Sequence, residues 1–127
     1  MLLIKPLFHG EEEARACLSA AGHADLAGAL VYRALQGGEE LGFVVFTVAD
    51  YTLTIEALQV HDAKDLDVMD GLLKAAIAYG MDHDALYLHY VEGMDQALLH
   101  RLNFWPDTEK SEFSIIDVLN KCKHCIN

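Results

Sequence analysis

The sequence predicts one α/β (α+β) domain over residues 1–127, a mixed and largely antiparallel sheet flanked by helices, in the order β-α-β-β-β-α-β-α-β. Three observations lead there. Residues 29–60 hold three apolar, strand-like runs joined by two-residue turns, which only antiparallel neighbours allow. Val68, Met69, Leu72, Leu73, Ala76 and Ile77 recur at helical spacing and make one apolar stripe. A chain of 127 residues, 53% apolar and 23% charged, has globular composition and enough length for one core.

Residues 2–8, LLIKPLF, read as a first strand at a sheet edge, because Pro6 has no N–H to give a ladder. After Gly10, EEEARACLSAAG reads as a helix. Its three glutamates suit the positive end of the helix dipole, Gly22 suits the C-cap, and Ala14, Cys17, Leu18 and Ala21 share a face. HADLAGA is a short helical or turn segment. Residues 29–36, ALVYRALQ, end at Gly37-Gly38, a hairpin turn. Residues 40–49, ELGFVVFTVA, are almost continuously apolar, as for a strand covered on both faces.

Asp50-Tyr51 turns the chain into residues 52–60, TLTIEALQV. Leu53, Ile55 and Ala57 alternate there, and Leu58 and Val60 continue one residue out of phase. A β-bulge near Ala57-Leu58 reconciles the two halves; a strand covered on both faces is the alternative. The helix over the apolar stripe starts at Asp67 as cap, with Asp70 completing a capping box, and ends before Gly80. Residues 84–91 read as a strand, 94–102 as a short helix and 113–119 as a last strand before a polar tail.

The net charge of −11, with no basic block, argues against nucleic acid and against anionic membrane surfaces. No apolar run approaches the roughly 20 residues that span a bilayer, and MLLIKPLFHG lacks the layout of a signal peptide, so a cytoplasmic protein is expected. Three cysteines do not suit a disulfide framework and read as reduced thiols. Cys122, His124 and Cys125 form a C-x-x-C with a third ligand type, but a structural zinc site needs four ligands. The seven histidines show no H-x-x-x-H spacing, so no metal site is expected.

Three passages carry a family resemblance. IEALQV (55–60) is a strand with a bulge that ends in valine before an acidic loop. GLLKAAIAYGMDHDALYLHYV (71–91) is a long helix, a glycine and a strand, and ALLHRLNF (97–104) is a short helix that runs into Phe104. Together they resemble the GNAT superfamily of acyl-CoA-dependent N-acyltransferases. The resemblance implies acetyl-CoA or another acyl-CoA as cofactor, held along the strand–loop–helix by Leu58, Gln59, Val60, Val68, Met69, Asp70, Gly71 and Leu72. It implies a small-molecule or peptide amine as acceptor, for which an acidic surface suits a cationic amine. Glu56 would be the general base and the amides of Leu58 to Val60 would polarise the thioester carbonyl. The other reading of Glu56 is a solvent-facing carboxylate on a half-exposed strand.

The chain departs from the family pattern in the loop. The family's R/Q-x-x-G-x-G/A corresponds to DAKDLDVMDG, where only Gly71 remains as glycine and Lys64 stands near the lost Arg or Gln. Four aspartates (62, 65, 67 and 70) against Lys64 leave 4 − 1 = 3 negative charges. Each like-charged pair at about 8 Å costs on the order of 0.5 kcal/mol in water. Leu99 stands where the family often has a tyrosine acid, Asn103 replaces the glycine before Phe104, and Glu92 replaces an asparagine. These departures motivate the alternative of a non-catalytic binding or regulatory module with the same fold, with a homodimer through the last strand or the tail.

Overall fold

The computed structural model describes residues 2–7, 12–22, 28–62, 65–102, 104–105 and 112–121. Among these residues six strands form one sheet in chain order: β1 (Leu2–Leu7), β2 (Leu30–Gln36), β3 (Glu39–Ala49), β4 (Thr52–Val60), β5 (Tyr87–Tyr90) and β6 (Glu112–Ser114). All neighbours are antiparallel except β4 and β5. The helices are α1 (Glu12–Ala20), α2 (Leu66–Asp82), α3 (Gln96–Arg101) and α4 (Ile115–Lys121). A mixed, largely antiparallel sheet flanked by helices is what the sequence predicts. The added feature is α4, because 113–119 is not one strand. Ile115, Val118 and Leu119 stand at i, i+3 and i+4, a helical period, and Ile115 and Val118 are buried while Ile116 is exposed.

β2, β3 and β4 form a meander with two tight corners. Gly37 and Gly38 take positive φ of 60° and 83°, the geometry of a type I′ hairpin. Asp50 and Tyr51 do the same at 52° and 63° without a glycine, and Tyr51 is held there by two bonds to its carbonyl, from the N–H groups of Leu86 and Tyr87. Those bonds set β5 beside the start of β4.

The bulge lies on Glu56, just before its expected place. Val45 pairs with Ala57 and Phe46 with Ile55, so Glu56 is the extra residue. The phase change follows: Leu53 and Ile55 before it, and Leu58 and Val60 after it, all pack with the core beneath α2. A second shift sits in β3, where Ala34 pairs with Gly42 and Leu35 with Glu40, leaving Leu41 extra.

Helix α2 covers one face of the sheet with Val68, Leu72, Leu73, Ala76 and Ile77, as the stripe predicts. Its cap is Asp65 rather than Asp67: the Asp65 Oδ1 accepts from the Val68 N–H at 3.3 Å, and the helix starts at Leu66. Asp70 does not complete a capping box but pairs with Lys74 at 2.7 Å, one turn on. The helix runs past Gly80 to Asp82; an added Cβ at Gly80 would stand 3.2 Å from Leu53 Cδ2 and 3.3 Å from Ala85 Cβ, so this glycine serves close packing rather than the helix end. The other face carries α1, whose Ala14, Cys17 and Leu18 pack on Val31, Phe43 and Val45.

Beyond β5 the core is aromatic. Tyr90 stacks on Trp105 with ring centroids 5.2 Å apart, and its hydroxyl donates to the Phe104 carbonyl at 2.8 Å. Burial pushes the Tyr90 phenol well above its usual value. The buried Cys17 thiol is pushed up to about 11 by burial and then by Glu40, against an opposing pull from Arg33. A raised folded-state value means that the folded chain keeps the proton which the unfolded chain loses. The stability involved is complete below the unfolded values, 9.0 for the thiol and 10.0 for the phenol, and is lost as pH climbs through the folded ones. The unfolding free energy from urea titrations is expected to fall from pH 9 upward, by up to about 1.4 kcal/mol per pH unit for each group in its window. Tyr90→Phe is expected to flatten the part above pH 10 and to cost about 1–2 kcal/mol at pH 7, because the Phe104 carbonyl loses its buried donor.

Candidate functional site

The site is a parting of two parallel strands. β4 and β5 pair only from Thr52 with Tyr87 to Ile55 with Tyr90, and the last bond between them runs from the Val91 N–H to the Ile55 carbonyl at 3.3 Å. Beyond it β4 continues along β3 to Val60, whereas the chain after Val91 turns away at Glu92 and Gly93 into α3. Gly93 makes that turn with φ of 92°.

The parting leaves polar backbone on one edge. The His61 N–H donates to the Leu41 carbonyl at 2.9 Å, which marks that pair as hydrogen-bonded. Antiparallel pairs alternate, so Gln59 is likewise engaged with Phe43, and the N–H groups of Leu58 and Val60 turn away from β3 into the gap. Of the three residues expected to present amides, the register offers two.

A cleft of about 200 Å³ occupies the gap on the α2 side, lined by Leu58, Met69, Gly93, Met94, Asp95, Leu98 and Leu99. Met69, 1% exposed, forms the part of the cleft wall that α2 supplies. A second cleft of about 270 Å³ adjoins it across Gly93 and Met94 and reaches Tyr90, Val91 and Trp105. Asp95 caps α3 by accepting from the Leu98 N–H at 3.1 Å. Leu99 is 1% exposed and brings no proton donor to the cleft.

Glu56, the bulged residue, stands on the other side of the gap. Its Oε2 accepts from the Thr47 hydroxyl at 3.2 Å, and Thr47 lies on the sheet face opposite α2, next in alternation to Val45. The bulge therefore turns one carboxylate to the face away from the cleft, at the level where the strands part. Thr47 carries no motif in the sequence; it pairs with Thr54, one position beyond the shift between Val45 and Phe46, and only that register brings it beside Glu56.

The start of α2 faces the same end of the sheet. Asp65 donates its own N–H to the Asp62 carbonyl and takes the Val68 N–H with its side chain, which leaves the amides of Leu66 and Asp67 as those with no partner inside the helix. Met69, Asp70, Gly71 and Leu72 come later, where N–H groups serve the helix's own ladder. Gly71 lies against Ile4, whose Cδ1 would be 3.3 Å from an added Cβ, so its smallness serves the packing of α2 on β1. With Asp70 held by Lys74, the four aspartates stand against two lysines, 4 − 2 = 2. Lys64 and Asn103 lie outside the described residues, as do Cys122, His124 and Cys125. Among the described residues no group of three His, Cys, Asp or Glu is gathered as for a metal, and no helix is long and apolar enough to cross a membrane.

No protein-family model matches the sequence, and no curated protein matches it. Solved structures do match in shape. An IAA acetyltransferase from Bacillus cereus superposes with a TM-score of 0.65 at 18% identity, over 85% of this chain and 79% of that one. A GNAT family acetyltransferase from Elizabethkingia anophelis, with acetyl-CoA bound, gives 0.61 at 19% identity over 79% and 71%. The ribosomal-protein-S18-alanine N-acetyltransferase of Escherichia coli gives 0.58 at 17% identity over 88% of each.

Proposed function

Because the chain has the fold of the GNAT acetyltransferases, we propose that it transfers an acyl group from an acyl-CoA to an amine. The observation that carries this reading is the parting of β4 and β5 directly beyond the bulge at Glu56. The thioester arm enters from the α2 side along Leu58, Met69 and Leu99, and the amine approaches from the face where Glu56 stands. The N–H groups of Leu58 and Val60 donate to the carbonyl oxygen as it gains charge. The amine nitrogen forms a bond to the carbonyl carbon, its proton passes to Glu56 directly or through water, and the carbon–sulfur bond breaks. Leu99 has no proton to give, so the departing thiolate is protonated from solvent.

The amides of Leu66 and Asp67 receive the pyrophosphate, with Gln59 and Val68 beside the approach and Gly71 a turn further in. Calorimetric titration with acetyl-CoA and coenzyme A tests this part. Binding in the micromolar range at low salt is expected. Asp67→Asn should tighten it about twofold at low salt and not at high salt, since one like charge near 8 Å is worth on the order of 0.5 kcal/mol. A second reading, a non-catalytic module with the same fold, is favoured by Asp65 occupying the Val68 amide and by the carbon-only Leu99. Absence of binding at millimolar ligand would establish that reading in place of the first.

A further inference from the structure

Six large apolar side chains stand exposed among the described residues, and five of them (Tyr51, Met81, Leu86, Tyr87 and Ile116) belong to one end of the sheet, opposite the β4–β5 cleft. Met81 comes from the last turn of α2, Leu86 and Tyr87 from the start of β5, and Ile116 from the first turn of α4. These four line a groove of about 390 Å³, and Tyr51 adjoins it through its bonds to Leu86 and Tyr87. Its walls are tied by backbone bonds, from the Ala85 N–H to the Gly80 carbonyl at 2.8 Å and from the Ile115 N–H to the Leu86 carbonyl at 3.0 Å. Leu86 is 58% exposed and Ile116 66%, so the apolar surface stands outward on a fixed frame. Contiguous apolar surface of this kind marks interaction sites.

The charge around the groove selects the occupant. The C-terminal end of α2 points here, where a helix dipole is negative and favours cations, yet its last turn has no basic residue. Asp82 ends that helix, Asp84 lines the groove, and Asp50 and Asp117 adjoin Tyr51 and Ile116 in sequence; all four are exposed. Among the described residues that line the groove there is no lysine or arginine. A second copy docked here about a two-fold axis would set these aspartates against their own counterparts, in a chain whose net charge is −11.

We propose that the groove docks a basic amphipathic segment of a partner protein. Its apolar side chains enter between Met81, Leu86 and Ile116, and its lysines or arginines meet Asp82, Asp84, Asp117 and the end of α2. The probe is a fluorescein-labelled synthetic peptide with leucine at helical spacing and lysine on the flanks, read by fluorescence anisotropy at low and moderate salt. Micromolar binding that weakens with salt is expected. Leu86→Asp and Ile116→Asp are each expected to weaken it about tenfold or more, the scale of a buried anchor. Leu3→Asp, at the other exposed large apolar side chain among the described residues, should leave it unchanged, and circular dichroism of each variant confirms that the fold is kept.

No binding at millimolar peptide, as when another part of the same chain fills the groove, would overturn the proposal. So would equal binding of a peptide with glutamate in place of lysine, or equal losses from Leu3→Asp and Leu86→Asp. Light scattering that shows a dimer abolished by Ile116→Asp would assign the groove to a second copy instead; a dimer insensitive to that change leaves the groove free and supports the proposal together with the peptide result.

Discussion

Glu56→Gln is expected to reduce amine-dependent release of coenzyme A by about 10²- to 10⁴-fold, the range over which a positioned general base acts. The substitution keeps the size of the side chain and an oxygen to accept from the Thr47 hydroxyl, so the bulge and its partner are preserved. The affinity for coenzyme A should stay within about twofold, because Glu56 faces away from the cleft that the cofactor arm would occupy. The loss belongs in kcat/KM for the amine and should lessen as pH rises, since more of the amine is then already deprotonated. A variant that retains full turnover across a panel of amines would remove Glu56 from the chemistry and return it to the role of a partly exposed strand carboxylate.

The largest expected effect on stability comes from Gly42→Ala. Gly42 pairs with Val60 across β3 and β4, and an added Cβ would stand 2.6 Å from the Gln59 carbonyl oxygen and 3.0 Å from the Val60 Cα. Both are backbone atoms, so relief requires the strands to separate rather than a side chain to rotate. Overpacking of this kind costs about 2–3 kcal/mol, and for a chain of this size the melting temperature should fall by about 6–15 °C. The displaced strand end carries the Leu58 and Val60 amides, so acyl-CoA binding should weaken in the same variant. Melting within about two degrees of the parent would show that β3 and β4 yield freely at this point.

Much of this architecture was legible in local pattern. The α2 stripe, the α1 face and the Gly37-Gly38 hairpin all rest on periods and turn residues within a few positions of one another, and local sterics act at that range. The out-of-step apolar residues of β4 likewise announced a bulge, since side chains can keep one face across a phase change only if a residue is extruded. Where pattern misled, two local solutions competed. Asp65 and Asp67 are equally good caps by composition, and the choice fell to the turn that lets Asp65 donate to the Asp62 carbonyl. Ile115 and Ile116 suit a strand, but only Ile115 has a place in the core, so the chain turned helical after Ser114.

The candidate site divides along the same line. By itself the sequence determined that the strand over 52–60 changes phase near Ala57-Leu58, close to the carboxylate of Glu56, and that the following loop is acidic. Only the tertiary structure decided that β5 leaves β4 at Val91, that Thr47 faces Glu56, that Lys74 takes up Asp70, and that Gly71 serves Ile4. It alone gathered Met81, Leu86 and Ile116 into one groove. Each of these joins residues that are remote in sequence or fixes which of several neighbours is reached, and such pairings follow from strand register and helix placement, which are settled by packing of the whole core.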